Sequence, residues 1–381
     1  MLKTRRNSLS EERVGSDIFN EFILPYRGAN EKFADYHQTI ENLFCEVIEN
    51  FSEYLTTREK VIAINSELTK ILKFDLRSHA LLEEPSIPEV LVEGKGSCNS
   101  LTSVAALTMR FFGIPAAIDE CPVWAHRNSG HRWNAFLDDT GLWIPFSGAE
   151  TNPDEFNVIN DSVKAPKIFR HTFSIQKGFQ PPGISPGDMP PVFQFSNRTD
   201  VTQLYVSTSD VEIYPNPDIV GNEKIIYLSV FNDQEWQIVS WAPIENGKAI
   251  FRKVGNNNII YLPVLYKKGV TIPVAHPFIL SANSMKTIVP YKNQTINMEL
   301  KYHNVFYDFK WNIGLTKPGR NIELYYWENG WVLCGKYRAG EDHILRFTDV
   351  PGGALYWIKS NEWVNTWQRI FTIENGEQVW Y

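Results

Sequence analysis

The hydrophobic pattern of the first part of the chain predicts helices. Between residues 30 and 80, apolar side chains recur every three or four positions, which is the period of one helix face. They are Phe33, Tyr36, Ile40, Phe44, Val47, Ile48 and Phe51, and then, after Thr56 and Thr57 as capping residues, Val61, Ile64, Leu68, Ile71 and Leu72. A third helix is predicted around residues 100–112, and Gly113 predicts its end.

From residue 114 the pattern changes to that of short strands. Residues 114–124, the run that begins at His131 and the run Trp143–Phe146 have the composition of strands, and Asp139 and Gly141 lie in a turn between the last two. Residues 1–177 therefore predict helices followed by an antiparallel sheet, which is an α+β order.

The second half of the chain is β-rich. Residues 178–191 contain five prolines and three glycines, a composition typical of a linker. Beyond them, short apolar runs are separated by Asn, Gly, Pro and Asp, which favours sandwich-type all-β structure. We expect two such domains, residues 192–290 and 291–381, after the α+β domain.

Composition and charge exclude several classes of protein. Four cysteines in 381 residues are too few for a disulfide scaffold. The net charge of −7 argues against broad binding to nucleic acid, which needs a basic face. Lys3, Arg5 and Arg6 precede no apolar segment that would complete a signal peptide, and no run is long enough to span a membrane. The compartment stays open.

Cys98 is the cysteine best placed for chemistry. It follows Gly94 and Gly96 and directly precedes the predicted third helix. A thiolate at a helix N-terminus faces unpaired N–H groups and the positive end of the helix dipole, so we expect a pKa below the free value of about 8.5. His131, at a predicted strand start, is the candidate base, and Trp133 shares its strand face and would shield the site. A buried inert cysteine with a structural histidine is the alternative.

Four motifs connect these residues to a known family. They are Gly96–Ser97–Cys98, the run RFFGIPAA that begins at Arg110, Gly130–His131–Arg132–Trp133–Asn134, and Trp143–Ile144–Pro145–Phe146. The stretch that contains them resembles the core of the transglutaminase-like, papain-related superfamily. In that family a helix carries a nucleophilic Cys and two strands carry a His and an Asp, so the resemblance implies the first two roles for Cys98 and His131.

The wider sequence extends the resemblance. Segments such as GAETNP and KIFRHTFSIQK are similar to multidomain transglutaminase-domain proteins of Bacteroides-type gut bacteria. Those proteins commonly end in β domains and are often exported lipoproteins. The resemblance therefore implies a bacterial, secreted protein at the periplasm or cell surface, although no signal peptide is visible in this chain.

The third catalytic position departs from the family pattern. The family Asp would follow Trp143–Ile144–Pro145–Phe146, where this chain has Ser147. A serine hydroxyl accepts a hydrogen bond from imidazole but does not stabilise imidazolium as a carboxylate does, and such a loss costs about 10⁴ in kcat in another hydrolase. Glu150 is the nearest carboxylate further along the chain. Ser147 and Glu150 are both candidates for this role.

The chemistry implied is acyl transfer. The Cys98 thiolate would attack an amide carbonyl, and the backbone N–H of Cys98, with Trp124 or Asn99, would hold the oxyanion. His131 would protonate the leaving amine, and water or an amine would resolve the thioester. Hydrolysis of a peptide or amide is favoured because bacterial members resemble proteases or amidases. Asn99, Trp124 and Trp133 are the candidate substrate-binding residues.

The alternative is a catalytically weak or inactive relative that binds peptide or glycan through its cleft and β domains. No metal or cofactor is predicted, because the spacing of Cys121, His126 and His131 lacks the tight pairs typical of zinc sites. Nine of the 12 tryptophans lie after residue 190, and we expect them to fill thin β cores. The expected partner is a peptide or protein, with glycan as the alternative.

Overall fold

The computed structural model describes residues 14–49, 55–75, 83–291, 293–300, 318–342, 344–360 and 368–381. Outside these ranges lie Lys3, Arg5 and Arg6, the predicted helix residue Phe51, and the tryptophans at positions 311, 363 and 367. Among the helices of the described ranges, none has both the length and the apolar character that a membrane crossing needs.

The described ranges contain six helices. They are α1 (Ser16–Phe22), α2 (His37–Glu49), α3 (Thr57–Ile71), α4 (Ile87–Glu93), α5 (Cys98–Phe111) and α6 (Pro217–Val220). The three predicted helices correspond to α2, α3 and α5. The sequence prediction did not include α4, although Ser86 and Glu89 form a capping box at its start that the sequence carries.

Helix α5 is the centre of the N-terminal core. Its residues from Ser100 to Arg110 are buried on every side, because α3 and α4 pack against it from one side and the first sheet from the other. This core consists of apolar side chains that are almost fully buried, among them Ile64, Leu68, Leu101, Val104 and Phe136. A helix buried all round is held rigidly, so the residue at its first position has a fixed location.

Seven strands belong to the N-terminal part. They are β1 (Lys73–Phe74), β2 (Lys95–Gly96), β3 (Ala116–Cys121), β4 (His131–Leu137), β5 (Trp143–Phe146), β6 (Phe169–His171) and β7 (Arg198–Asp200). Strands β1 and β2 form a short parallel pair. The others form one antiparallel sheet in the order β5-β4-β3-β6-β7. The predicted strands are confirmed as β3, β4 and β5.

The proline-rich segment 178–191 packs against the protein. The indole N–H of Trp241 donates to the carbonyl oxygen of Phe179, 2.9 Å away, and Phe179 packs between Phe169 and Phe193. Strand β7 follows this segment and still belongs to the first sheet. The change of sheet therefore falls after β7, while the domain boundaries stay a prediction.

The middle of the chain forms a second sheet. Its strands are β8 (Thr208–Ile213), β9 (Ile225–Asn232), β10 (Glu235–Glu245), β11 (Lys248–Gly255), β12 (Ile259–Lys267), β13 (Val270–Pro273), β14 (Phe278–Ser281) and β15 (Ser284–Thr287). Alternate residues of β9 enter two different cores: Leu228 lies in one, and Tyr227 and Phe231 lie in the other. Both faces of β9 are therefore covered, which explains its nearly continuous apolar sequence.

The last part of the chain adds seven strands. They are β16 (Thr295–Leu300), β17 (Asn321–Trp327), β18 (Trp331–Arg338), β19 (Leu345–Pro351), β20 (Tyr356–Ser360), β21 (Ile370–Glu374) and β22 (Glu377–Trp380). Strand β16 pairs with β19, and the other five form a sheet in the order β18-β17-β20-β21-β22. Trp236 and Trp357 are buried where this part meets β9, in the role of core residues. The predicted α+β region followed by β-rich structure is confirmed.

Candidate functional site

Cys98 is the first residue of α5 and lies against the start of β4. Ser97 caps the helix, since its hydroxyl oxygen accepts the backbone N–H of Ser100 at 3.3 Å. The thiol sulfur accepts a hydrogen bond from the backbone N–H of Arg132. This contact is possible because β5 pairs with β4 only from Asn134 to Leu137, which leaves the first residues of β4 open on that side. Cys98 thus touches the residue that follows His131.

The thiol of Cys98 is buried, with 6% of the residue exposed. Burial raises its pKa above the ordinary value, and the Glu150 carboxylate raises it further. The Arg132 N–H and the positive charge of Arg132 oppose this rise without cancelling it. The lowered pKa expected from the helix N-terminus is therefore not found, because removal of the thiolate from water outweighs the N–H groups that face it.

His131 is the first residue of β4 and the cross-strand partner of Cys121. It is half-buried, and its ring centroid lies 6.3 Å from that of Trp133. The preceding residue must be glycine, because a Cβ at Gly130 would lie 2.3 Å from the carbonyl oxygen of Pro122. The tight backbone at Gly130 determines where His131 begins the strand, at the end of the sheet that Cys98 contacts.

Ser147 and Glu150 lie on one short loop after β5. The backbone N–H of Ser147 donates to the carbonyl oxygen of Thr151 at 3.1 Å, and the reverse pair is 3.0 Å long. The loop is packed against α5 at Gly148, where a Cβ would lie 2.3 Å from the Cβ of Ala105. The two candidates for the third catalytic role are therefore held on a closed loop beside the helix that carries Cys98.

Asn65 on α3 holds this loop from inside the core. Its side-chain oxygen accepts the backbone N–H of Ala149 at 2.8 Å, and its nitrogen donates to the carbonyl oxygen of Thr151 at 3.1 Å. Ala149 has a φ of 60°, a left-handed conformation that is unfavourable for alanine. The sequence prediction missed Asn65, although a polar residue between the apolar positions Ile64 and Leu68 was a visible signal.

Glu150 and Ser147 differ in their surroundings. Ser147 is buried, whereas Glu150, taken over the whole residue, is exposed to solvent. Burial nevertheless raises the pKa of the Glu150 carboxyl group, and its charge acts on the Cys98 thiol. The Glu150 carboxylate is therefore electrostatically coupled to the thiol, and its partnership with His131 stays a prediction.

The three residues predicted to bind substrate lie in different places. Asn99 follows Cys98, and its amide nitrogen donates to the Glu84 carboxylate at 2.8 Å. Trp124 and Trp133 are fully buried and stack with their ring centroids 6.4 Å apart. Of the three, Asn99 is next to the thiol, Trp133 lies beside the His131 ring, and Trp124 stacks on Trp133.

A charged cluster that the sequence prediction missed lies beside Arg132. The Glu120 carboxylate contacts Arg132 at 3.3 Å, Arg198 at 3.2 Å and the imidazole of His171 at 2.8 Å. Burial by itself raises the pKa of Glu120, but Arg132, His171 and Arg198 together hold it well below its ordinary value. The cluster thus pairs the side chain of Arg132 with the Glu120 carboxylate, one residue after His131 on the strand.

The residues considered for zinc serve other contacts. The Cys121 thiol donates to the carbonyl oxygen of Val123 at 3.4 Å, and Nδ1 of His126 accepts the backbone N–H of Lys164 at 3.2 Å. Across the described ranges, no group of three or more His, Cys, Asp or Glu side chains is arranged to hold a metal ion.

Comparisons with known proteins give one family match. Residues 47–147, which include Cys98, His131 and Ser147, match the sequence model of the transglutaminase-like superfamily. No curated protein matches the chain.

Among the solved structures that the comparison matches, two cover the chain only in part. One is a proposed cysteine protease from Cytophaga hutchinsonii, 17% identical, with 32% of this chain and 41% of that chain covered and a TM-score of 0.24. The second is a TGase, 19% identical, with 30% and 31% covered and a TM-score of 0.23. Red sea bream transglutaminase is 11% identical, with 93% and 76% covered and a TM-score of 0.26. The first two matches span less than half of the matched chains.

Proposed function

We propose that the protein is a cysteine acyl-transfer enzyme that hydrolyses peptide or amide bonds through a thioester on Cys98, because residues 47–147 match the sequence model of the transglutaminase-like superfamily. The observation that supports this most directly is the contact of the Cys98 thiol with the Arg132 backbone N–H, because Arg132 directly follows His131, the residue that would act as the base. A thiol nucleophile needs such a base within reach.

In the proposed reaction the thiol proton of Cys98 passes to the imidazole of His131. The sulfur forms a bond to the substrate carbonyl carbon, and the oxyanion is held by the backbone N–H of Cys98 with Asn99 beside it. The C–N bond then breaks as the imidazolium of His131 gives its proton to the leaving amine. Water attacks the thioester, releases the carboxylic acid and returns the proton to the thiol.

The raised pKa of Cys98 makes a proton acceptor necessary for the proposed attack. Because burial raises that pKa, the thiol rather than the thiolate is the resting form, and His131 is the proposed acceptor of its proton. With Ser147 as the third member, stabilisation of the imidazolium is weaker than with the family Asp. We therefore propose a slow enzyme whose substrate is a peptide or protein.

A second candidate function is supported by the same two features. A buried, protonated thiol and a serine at the third position also suit a transglutaminase-like protein that binds peptide or glycan without turnover. The two candidates differ in whether a thioester forms on Cys98.

Acylation by p-nitrophenyl acetate tests the proposal, because this activated ester needs no substrate recognition. We expect a burst of p-nitrophenol and an acetyl adduct on Cys98 by mass spectrometry, both lost in Cys98→Ala and reduced in His131→Ala. Cys45→Ala is the matched control, because Cys45 is an exposed free thiol distant from the site in sequence.

The fate of the adduct separates the reaction types. Loss of the acetyl group in water indicates hydrolysis, and faster loss with added amine indicates amine transfer. A burst that persists in Cys98→Ala, or that is unchanged in His131→Ala, contradicts the proposed enzyme. If no adduct forms, non-catalytic binding becomes the better candidate, to be measured with peptides and glycans by calorimetry.

A further inference from the structure

The loop that leads into His131 is held by residues far away in the sequence. Residues 122–130 join β3 to β4, and Gly130 transmits their position to His131 because its backbone packs on Cys121 and Pro122. Within the loop, the N–H of Trp124 donates to the carbonyl oxygen of Ser129 at 3.1 Å. Any displacement of this loop therefore moves the first residue of β4.

Asn232, at the end of β9 in the middle β-rich part, is bonded to both ends of the loop. Its side-chain nitrogen lies 2.8 Å from the carbonyl oxygen of Trp124 and 3.0 Å from those of Arg127 and Ser129. Its side-chain oxygen accepts the backbone N–H of Ser129 at 3.1 Å. One buried amide thus lies within hydrogen-bond distance of four backbone groups of the loop.

Arg369, in the last β-rich part, holds the same loop from another side. It is 1% exposed, and its guanidinium donates to the carbonyl oxygen of Ala125 at 2.6 Å, to Oδ1 of Asn128 at 3.2 Å and to the carbonyl oxygen of Tyr381 at 2.9 Å. The backbone N–H of Asp233 also reaches Oδ1 of Asn128, at 3.1 Å. Both β-rich parts therefore converge on this one asparagine.

A buried guanidinium is costly unless its hydrogen bonds repay the loss of water. Burial lowers the pKa of Arg369 to about 9, with Asp233 opposing the change. The charged groups around the loop also include Lys164, whose ammonium lies 4.4 Å from the ring of Tyr381, and Arg127 over Trp124. Hydrogen bonds, rather than a salt bridge, are therefore the main contacts of the Arg369 guanidinium. Most of these hydrogen bonds go to the loop.

From these contacts we infer that Asn232 and Arg369 are positioning residues for His131, so that the two β-rich parts complete the site of the transglutaminase-like domain. The inference rests on the proposed roles of Cys98 and His131. It assigns to the β-rich parts a function in the geometry of the base, in addition to any binding of substrate.

The test measures His131 directly in the full chain. The chain is labelled with ¹³C-histidine, the imidazole signal of His131 is assigned by its loss in His131→Gln, and its titration with pH is recorded for Asn232→Ala and Arg369→Met. Asn256→Ala is the matched control, because Asn256 is a buried asparagine of the same part whose amide donates to Ser209. Asn232→Asp and Arg369→Lys serve if the first variants do not fold.

We expect the His131 signal and its titration midpoint to shift in the Asn232 and Arg369 variants and to stay in place in Asn256→Ala. Acetylation of Cys98 should fall about 10–100-fold in the same two variants, as a small misplacement of a catalytic group does. An unchanged His131 titration in both variants overturns the inference, whatever the activity. If the His131 titration shifts but acylation does not depend on His131, the positioning role of Asn232 and Arg369 is supported and the proposed enzyme is contradicted. Failure of the inference and failure of the proposed function can therefore be told apart.

Discussion

The side-chain oxygen of Asn65 accepts the backbone N–H of Ala149 at 2.8 Å, and through this bond a core helix holds the loop of Ser147 and Glu150. The same side chain reaches the carbonyl oxygen of Thr151, so one buried residue supports the middle and the end of the loop. The left-handed conformation of Ala149 persists because its N–H has this fixed partner.

Replacement of Asn65 tests this support. Asn65→Ala leaves the Ala149 N–H buried without its partner, which costs about 1–3 kcal/mol for an unsatisfied group. We expect the free energy of unfolding, measured in urea, to fall by that amount. Ser66→Ala is the control, because the Ser66 hydroxyl accepts a hydrogen bond from the side chain of Asn152 rather than from the loop backbone. Equal losses in the two variants would contradict the assigned role of Asn65.

The close packing of the loop on α5 gives a second prediction. In Gly148→Ala the new methyl group would lie 2.3 Å from the Cβ of Ala105 and 2.4 Å from Oδ1 of Asn134, so the loop or the helix must shift. Overpacking of this kind costs about 1–3 kcal/mol. We expect a lower thermal midpoint and slower acylation of Cys98.

Gly187→Ala is the matched control for Gly148→Ala. A Cβ at Gly187 meets no atom within 4 Å, so the thermal midpoint should stay close to that of the unaltered chain. If Gly148→Ala is as stable and as reactive as Gly187→Ala, the loop is less tightly held than the structure indicates.

The sequence predicted the local elements of the site better than its electrostatics. The helix at Cys98 and the strand at His131 follow from apolar spacing and from Gly113 and Gly130, which are local signals. The raised pKa of the thiol was not predictable, because burial of Cys98 depends on the packing of the whole domain.

The residues that contact the site from distant parts of the chain were also not predictable from the sequence. Asn232 and Arg369 lie more than a hundred residues from the loop that they contact, and neither stands in a recognisable motif. A buried asparagine or arginine satisfies backbone groups brought close by the fold, so its role is evident only when sheets from different parts of the chain are packed together. Asn65 is the exception, since its position within an apolar helix face was a local signal.

Removal of the Glu150 charge should make Cys98 more reactive. The Glu150 carboxylate raises the pKa of the thiol, so Glu150→Gln lowers that pKa and increases the thiolate fraction at a given pH. We expect the pH profile of Cys98 alkylation by iodoacetamide to move to lower pH. Glu155→Gln, a nearby change at an exposed residue, should leave the profile in place. A shift toward higher pH in Glu150→Gln would mean that Glu150 stabilises the thiolate through His131.

Restoring the family carboxylate is expected to raise activity. In Ser147→Asp a buried carboxylate can stabilise the imidazolium of His131, and loss of such a group costs about 10⁴ in another hydrolase, so a gain of at least about tenfold in Cys98 acetylation is expected. Ser147→Asn has a similar shape without the charge and should give no gain. A gain that survives in the double variant with His131→Ala would show that the carboxylate acts through a different group.

The loop before His131 should also make stability depend on pH. Burial lowers the pKa of His126 to about 3, with Arg127 and Arg369 contributing, so His126 stays neutral in the folded chain while its ordinary pKa is 6.5. Below pH 6.5 the unfolded chain binds a proton that the folded chain does not, and the free energy of unfolding falls by up to about 1.4 kcal/mol per pH unit for this group. His171, whose pKa is also lowered, acts in the same direction.

Urea denaturation between pH 5 and 8 measures this dependence. In His126→Gln the side-chain oxygen can still accept the Lys164 N–H but does not titrate. The free energy of unfolding should therefore fall less steeply below pH 6.5, by the contribution of one histidine. The part due to His171 should remain in that variant. An identical slope in His126→Gln and in the unaltered chain would show that His126 is protonated in the folded protein, and that the loop tolerates a charge beside Arg127 and Arg369.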